Sequence, residues 1–147
     1  MSGTTILEVR HAFDAAHRLP VLPGKCQSLH GHTWRITARV RGPVDGTTGI
    51  VTDMGGVKDK LRAFVDMELD HGTLLGEDDP LVATLGQFAM KVFVFDGDRG
   101  GWPTVENVAA LIGERLQEQL PAGVTLVDVR VAETDTNAAT WSPGGTA

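Results

Sequence analysis

From His30 to Arg41 the chain alternates. His32, Trp34, Ile36, Ala38 and Val40 fall on one face, and Thr33, Arg35, Thr37, Arg39 and Arg41 on the other. This is the period of a strand with one buried side. Leu7, Val9 and Phe13 against Glu8 and Arg10 predict an earlier strand over Leu7–Phe13, and Pro20, Pro23 and Gly24 then break the chain into a loop. Gly42, Pro43, Asp45 and Gly46 predict a turn, with a short strand at Gly49–Thr52. The period then changes. Asp53 is placed to cap a helix whose apolar stripe is Val57, Leu61, Phe64, Val65 and Leu69. Leu74–Thr84 is acidic and irregular, Ala89–Asp96 reads as a strand, and Gly97–Gly101 as a loop. Pro103 and Thr104 open a second helix with Val105, Val108, Ala109, Ile112, Leu116 and Leu120 on its stripe, and Gly123 follows it. The last strand, Thr125–Glu133, places Val127, Val129, Val131 and Glu133 on one face, and Ser142–Ala147 reads as a frayed end. Strand, strand, helix, an added strand, helix, strand is the order of an α+β domain. Its antiparallel sheet is covered by two helices on one face.

Composition narrows the class without changing that picture. A length of 147 residues predicts one domain, residues 1–147, and 41% hydrophobic with 22% charged residues is ordinary for a globular protein. The formal net charge of -6 argues against a nucleic-acid partner, which usually meets a basic stripe. Such a charge leaves room for a small anionic ligand that needs only local positive charge. Cys26 is the single cysteine, so an internal disulfide is excluded. No apolar run approaches a membrane span, and Met1–Ile6 lacks the basic-then-apolar pattern of a secretory signal, so the expected location is cytoplasmic.

The candidate chemistry centres on His30-Gly31-His32. Residues at i and i+2 of a strand point to one side, here the side of Trp34 and Ile36. Two imidazoles aimed into an apolar layer are costly unless hydrogen-bonded or bound to metal. His17 shares the odd register of Leu7, Val9 and Phe13 and is the candidate third ligand. A lone histidine is more often a satisfied core residue, but a His-x-His pair with a third histidine favours Zn2+. Three neutral ligands leave the ion its double charge and an open position. Cys26, four residues before His30, has three readings: a general base favoured as thiolate beside a cation, a buried small hydrophobe, or a fourth ligand closing a structural site. Asp70-His71 is either an acid/base pair or a histidine at a helix C-terminus. Glu133 stands at the rim in solvent, or buried with a partner such as two parallel N–H donors of a heterocycle. Glu106 lies in the first turn of the second helix, where an acid is favoured anyway.

Phe13-Asp14-Ala15-Ala16-His17-Arg18-Leu19-Pro20 followed by Cys26-Gln27-Ser28-Leu29-His30-Gly31-His32 resembles the 6-pyruvoyl-tetrahydropterin synthase and 6-carboxy-tetrahydropterin synthase family. The C-x-x-x-H-G-H spacing is closer to the carboxy branch, associated with queuosine and 7-deazapurine precursors. Further matches lie at Asp53, Leu69-Asp70-His71, Pro103-Thr104-Val105-Glu106-Asn107 and Ala132-Glu133-Thr134. The resemblance implies a tunnelling fold whose subunits form a barrel within a homohexamer, with the site between subunits. It also implies zinc on His17, His30 and His32, Cys26 as base, and Asp70 with His71 as proton relay. The pterin ring would be anchored by Glu133, helped by Thr104 and Glu106. The implied reaction converts 7,8-dihydroneopterin triphosphate to 6-carboxy-5,6,7,8-tetrahydropterin. The alternatives are a homologue with 6-pyruvoyl-type chemistry, side-chain cleavage to a 6-hydroxymethyl pterin, no turnover of this substrate, or pterin binding without catalysis. The segment between His71 and Pro103 is longer than the family pattern, and Met54 stands where an aromatic residue is common.

Overall fold

The structure is a computed structural model that describes residues 3–144. One six-stranded sheet, in the order β4 (Val92–Phe95), β3 (Gly72–Gly76), β1 (Thr4–His17), β2 (His30–Pro43), β5 (Thr125–Ala132) and β6 (Ala138–Trp141), carries the fold. Strands β1 (Thr4–His17) and β2 (His30–Pro43) pair antiparallel along their whole length, Val9 opposite Ala38, Phe13 opposite Trp34 and His17 opposite His30. The alternation read along β2 is realised. Trp34, Ile36, Ala38 and Val40 are all buried, and Phe13 stacks on Trp34 with centroids 5.8 Å apart. Helices α1 (Met54–Phe64) and α3 (Val105–Gln117) supply Val57, Leu61, Val108, Ile112 and Leu116 to the same core. Their starts are capped as expected: Asp53 accepts from the Gly55 amide at 3.0 Å and Thr104 from the Asn107 amide at 3.1 Å.

Four expectations need correction. The sheet is mixed: β3 (Gly72–Gly76) runs parallel to the end of β1, and β4 (Val92–Phe95) runs parallel to β3. The stretch Leu74–Thr84, expected to be irregular, holds β3 and a short helix α2 (Leu81–Gly86). Leu74 and Leu75 are both fully buried, so β3 lacks the in-out alternation that marks a half-buried strand. Gly49–Thr52 is not a strand. Asp45 accepts from the amides of Thr47 and Thr48 at 2.9 and 2.8 Å, closing a side-chain turn just before the segment, and its own amide donates to the Ile50 carbonyl at 2.9 Å. Finally, β5 (Thr125–Ala132) carries a bulge: Arg39 pairs with Asp128 but Val40 with Leu126. The bulge at Val127 flips the register, so Leu126 rather than Val127 joins Val129 and Val131 in the core.

The edge strand β6 (Ala138–Trp141) was not legible as an element, because Ala138-Ala139-Thr140-Trp141 has too few residues to show a period. The expected frayed end Ser142–Ala147 falls partly outside the described residues. The strand expected at Ala89–Asp96 shortens to β4, and the one at Leu7–Phe13 extends to His17. Among the described residues, no helix is long and apolar enough to cross a membrane.

The added segment between β3 and α3 is tied to the start of the loop after β1. Arg18 donates to both carboxylate oxygens of buried Asp79, at 2.7 and 2.6 Å, and Asp79 also accepts from the Leu81 amide at 2.9 Å. The Arg18 guanidinium holds the Asp79 carboxyl below its ordinary range. A depressed folded-state pKa contributes stability above the unfolded value, near 3.9, which is lost as pH falls through the folded value. Asp79→Asn is therefore expected to cost about 2 kcal/mol at neutral pH and progressively less below about pH 4. Denaturant melts of both proteins from pH 7 to pH 2 test this. A gap independent of pH would contradict it.

Candidate functional site

The pairing of β1 with β2 brings the three histidines together. His17 lies directly opposite His30, and Ala15 opposite His32, so all three imidazoles project from the core face at the end of the β1–β2 ladder. One ring nitrogen from each lies within 4.8 Å of the others. Tetrahedral zinc at about 2.1 Å from each nitrogen needs edges of about 3.4 Å, a difference that small side-chain rotations close. Neighbouring groups already orient two of the rings. Nδ1 of His17 lies 2.8 Å from the Pro103 carbonyl, and Nδ1 of His30 lies 2.7 Å from the Ser28 carbonyl. A carbonyl only accepts, so both Nδ1 atoms carry the proton and both Nε2 atoms are left as lone-pair donors. Such outer hydrogen bonds characterise metal-ligating imidazoles. His17 is only 1% exposed. Burial, opposed by its bond to Pro103 and aided by His30 and His32, lowers its pKa to about 4. Burial and His30 lower that of His32 as well. Burial therefore holds His17 in the neutral form that a cation requires and biases His32 the same way.

The histidines form one wall of a cavity of about 320 Å³. Leu19, Lys25, Cys26, Glu133, Thr134 and Asn137 complete it. Cys26 sits in a short 3-10 turn, Lys25–Gln27, fastened by a 2.7 Å hydrogen bond from the Leu19 amide to the Cys26 carbonyl. It is a free thiol, partly buried on the cavity wall. Glu133 takes neither simple alternative. It is half-buried just past β5, its Oε2 3.9 Å from Nε2 of His17. Burial above all pushes its carboxyl pKa up, partly offset by His30, with a lesser upward push from Glu106. A ligand offering two N–H donors would offset that desolvation.

Asp70 and His71 are brought together, but not into this cavity. Asp70 Oδ2 is 2.8 Å from His71 Nδ1, and the His71 side chain is 79% exposed. His71, with Asp70 bonded to its ring, lines an open groove with Asp14, Gly31, His32, Thr33 and Thr73, which meets the histidine cavity only at His32. Thr104 caps α3 and Glu106 is exposed on its first turn; neither lines the cavity. Sequence reasoning missed Lys25 and Asn137. Lys25 was visible beside Cys26, and Asn137 becomes a wall residue only because the Thr134–Asn137 turn folds back, its carbonyl accepting from the Glu133 amide at 3.1 Å.

The profile of the family described as 6-pyruvoyl tetrahydropterin synthase matches residues 6–143. The chain is 36% identical over 127 residues to the probable 6-carboxy-5,6,7,8-tetrahydropterin synthase of Halobacterium salinarum, covering 82% of this chain and 75% of that one. It is 33% identical over 140 residues to human 6-pyruvoyl tetrahydrobiopterin synthase, covering 87% and 84%. Among solved structures, Caenorhabditis elegans 6-pyruvoyl tetrahydropterin synthase superposes with a TM-score of 0.70 at 28% identity, over 97% of each chain. An uncharacterized protein from Wolinella succinogenes shares the fold, with a TM-score of 0.78 at 22% identity over 95% of this chain and 98% of that one. With nearly the whole chain matched and the histidine cluster assembled on its first two strands, the protein belongs to the 6-pyruvoyl tetrahydropterin synthase family.

Proposed function

We propose that this protein is a zinc-dependent lyase that converts 7,8-dihydroneopterin triphosphate to 6-carboxy-5,6,7,8-tetrahydropterin. The observation that carries the reading is the set of three clustered imidazoles, two of them held by carbonyls with Nε2 free, beside Cys26 and Glu133 in one cavity. The spacing Cys26-x-x-x-His30-Gly31-His32 supports the carboxy branch.

His17, His30 and His32 would hold the ion. Zinc there would supply Lewis acidity toward a hydroxyl or carbonyl of the substrate side chain. Cys26, on the wall beside the cluster, takes a proton from that side chain as general base. Glu133 accepts the paired N–H donors of the pterin ring and fixes which end of the ligand faces the histidines. Asp70 holds Nδ1–H of His71, leaving His71 Nε2 to pass a proton. Because this pair opens on the adjoining groove, it is assigned to an assembled site in a homohexamer. Copies meet there, and Thr104 and Glu106 flank the pterin end.

Incubation of the purified protein with dihydroneopterin triphosphate and product identification by mass tests this directly. Absence of any consumption would end the proposal. A 6-pyruvoyl product would instead establish a second reading, which the 33% identity to the human 6-pyruvoyl tetrahydrobiopterin synthase favours. Cys26→Ala is expected to retain zinc and pterin binding while turnover falls by about 100-fold or more. Full activity in this variant would show that the base lies elsewhere.

A further inference from the structure

The peptide that carries Asp70 and His71 is held from several sides. It ends a π turn, Val65–Leu69, closed by the Asp70 amide on the Val65 carbonyl at 2.9 Å. Asp70 Oδ1 accepts from the Asp14 amide at 3.0 Å, and the His71 amide donates to the Asp14 carbonyl at 2.7 Å. His71 has φ +60°, a left-handed conformation that a non-glycine residue keeps only when its surroundings over-determine it. Unpaired carbonyls at the end of such a turn need a donor. Lys91 provides it: its ammonium donates to the Asp66 carbonyl at 3.1 Å and to the Asp70 carbonyl at 2.6 Å. Lys91 is itself fastened, its own carbonyl accepting from the Thr73 amide at 3.0 Å. It belongs to the long segment between β3 and β4, which the reading of the active residues does not otherwise use.

We infer that Lys91 is a positioning residue for the Asp70–His71 pair. By gripping the carbonyls at both ends of Asp66–Asp70 it fixes the peptide bearing the Asp70 carboxylate, keeps Nδ1–H of His71 on that carboxylate, and leaves Nε2 facing the groove beside His32. The exposed His71 ring has little packing to orient it, so its direction depends on Asp70, and the backbone of Asp70 on Lys91. The inference rests on the proposed role of the pair as a proton relay, but the geometry it describes is measurable without turnover.

Lys91→Met removes the donor while keeping the apolar stem, and Lys91→Arg keeps a donor within reach of both carbonyls. Nitrogen NMR of the His71 ring is expected to show one Nδ1–H tautomer in the wild type and in Lys91→Arg, and a mixture in Lys91→Met. On dihydroneopterin triphosphate, Lys91→Met should lower kcat about 10-fold with KM within about twofold, and Lys91→Arg should restore most of the loss. A merely structural lysine would lower the melting temperature while tautomer and kcat stayed those of the wild type, and that result overturns the inference. If Lys91→Met does not fold, Lys91→Gln is read by the same two measurements. If the wild type turns over no pterin, the proposed function fails while the tautomer still decides the role of Lys91.

Discussion

Replacing His30 with alanine is expected to strip the cavity of zinc, weakening metal affinity by more than about 100-fold. Loss of an outer-sphere partner alone costs about 10- to 100-fold, and loss of a ligand costs more. His30 is the informative choice among the three. His17 is buried against Trp34, with ring centroids 4.9 Å apart, so truncating it would also open the core. His30 lies half-buried at the first residue of β2, where alanine leaves the ladder intact. Elemental analysis after purification should find zinc in the wild type and in His71→Ala, and none in His30→Ala. A chelator should lower the melting temperature of the wild type and of His71→Ala but not that of His30→Ala, since a ligand at 1,000 times its dissociation constant stabilises by about 4 kcal/mol. Unchanged zinc in His30→Ala would refute the ligand set.

A methyl group at Gly76 is expected to destabilise the fold by about 3 kcal/mol or more, the upper part of the range for overpacking. A Cβ there would stand 2.2 Å from the Gly101 carbonyl oxygen and 2.7 Å from the Trp102 ring. The first contact is to backbone, which cannot rotate away. Gly76 ends β3, beside β4 and the Gly97–Arg99 turn, so relief would require moving the chain that leads into Pro103. Pro103 bears the carbonyl that orients His17. For a chain of this length each kcal/mol is worth about 2–4 °C, so Gly76→Ala should melt about 6–12 °C lower. The same displacement should weaken zinc binding, a coupling that metal titration of the folded variant would detect. A melting temperature within 2 °C of the wild type, on the order of a single kcal/mol, would contradict the contact.

Much of the fold was legible wherever an element has one wet face. The β2 alternation, the stripes of α1 and α3 and the caps at Asp53 and Thr104 are local signals that tertiary packing reinforces. Three of the misreadings share one cause, the absence of such a face or of an unbroken period. β3 is buried on both sides, β6 is four residues long, and the bulge at Val127 inserts a residue where a strict period of two was assumed.

The site divides along the same line. The sequence by itself determined that His30 and His32 share a side of β2, and the resemblance in its motifs joined His17, Cys26, Glu133 and the Asp70-His71 pair to them. Tertiary structure alone decided that His17 pairs across from His30, because strand register is a long-range property set by packing of the whole sheet. It also decided the tautomers through the carbonyls of Pro103 and Ser28, the second within two residues of His30 but the first 86 residues from His17. The same packing separated Cys26 and Glu133 in one cavity from His71 in the next groove. Residue type states what a group can do chemically. Which groups act on one ligand depends on where a six-stranded sheet and its bulge aim them.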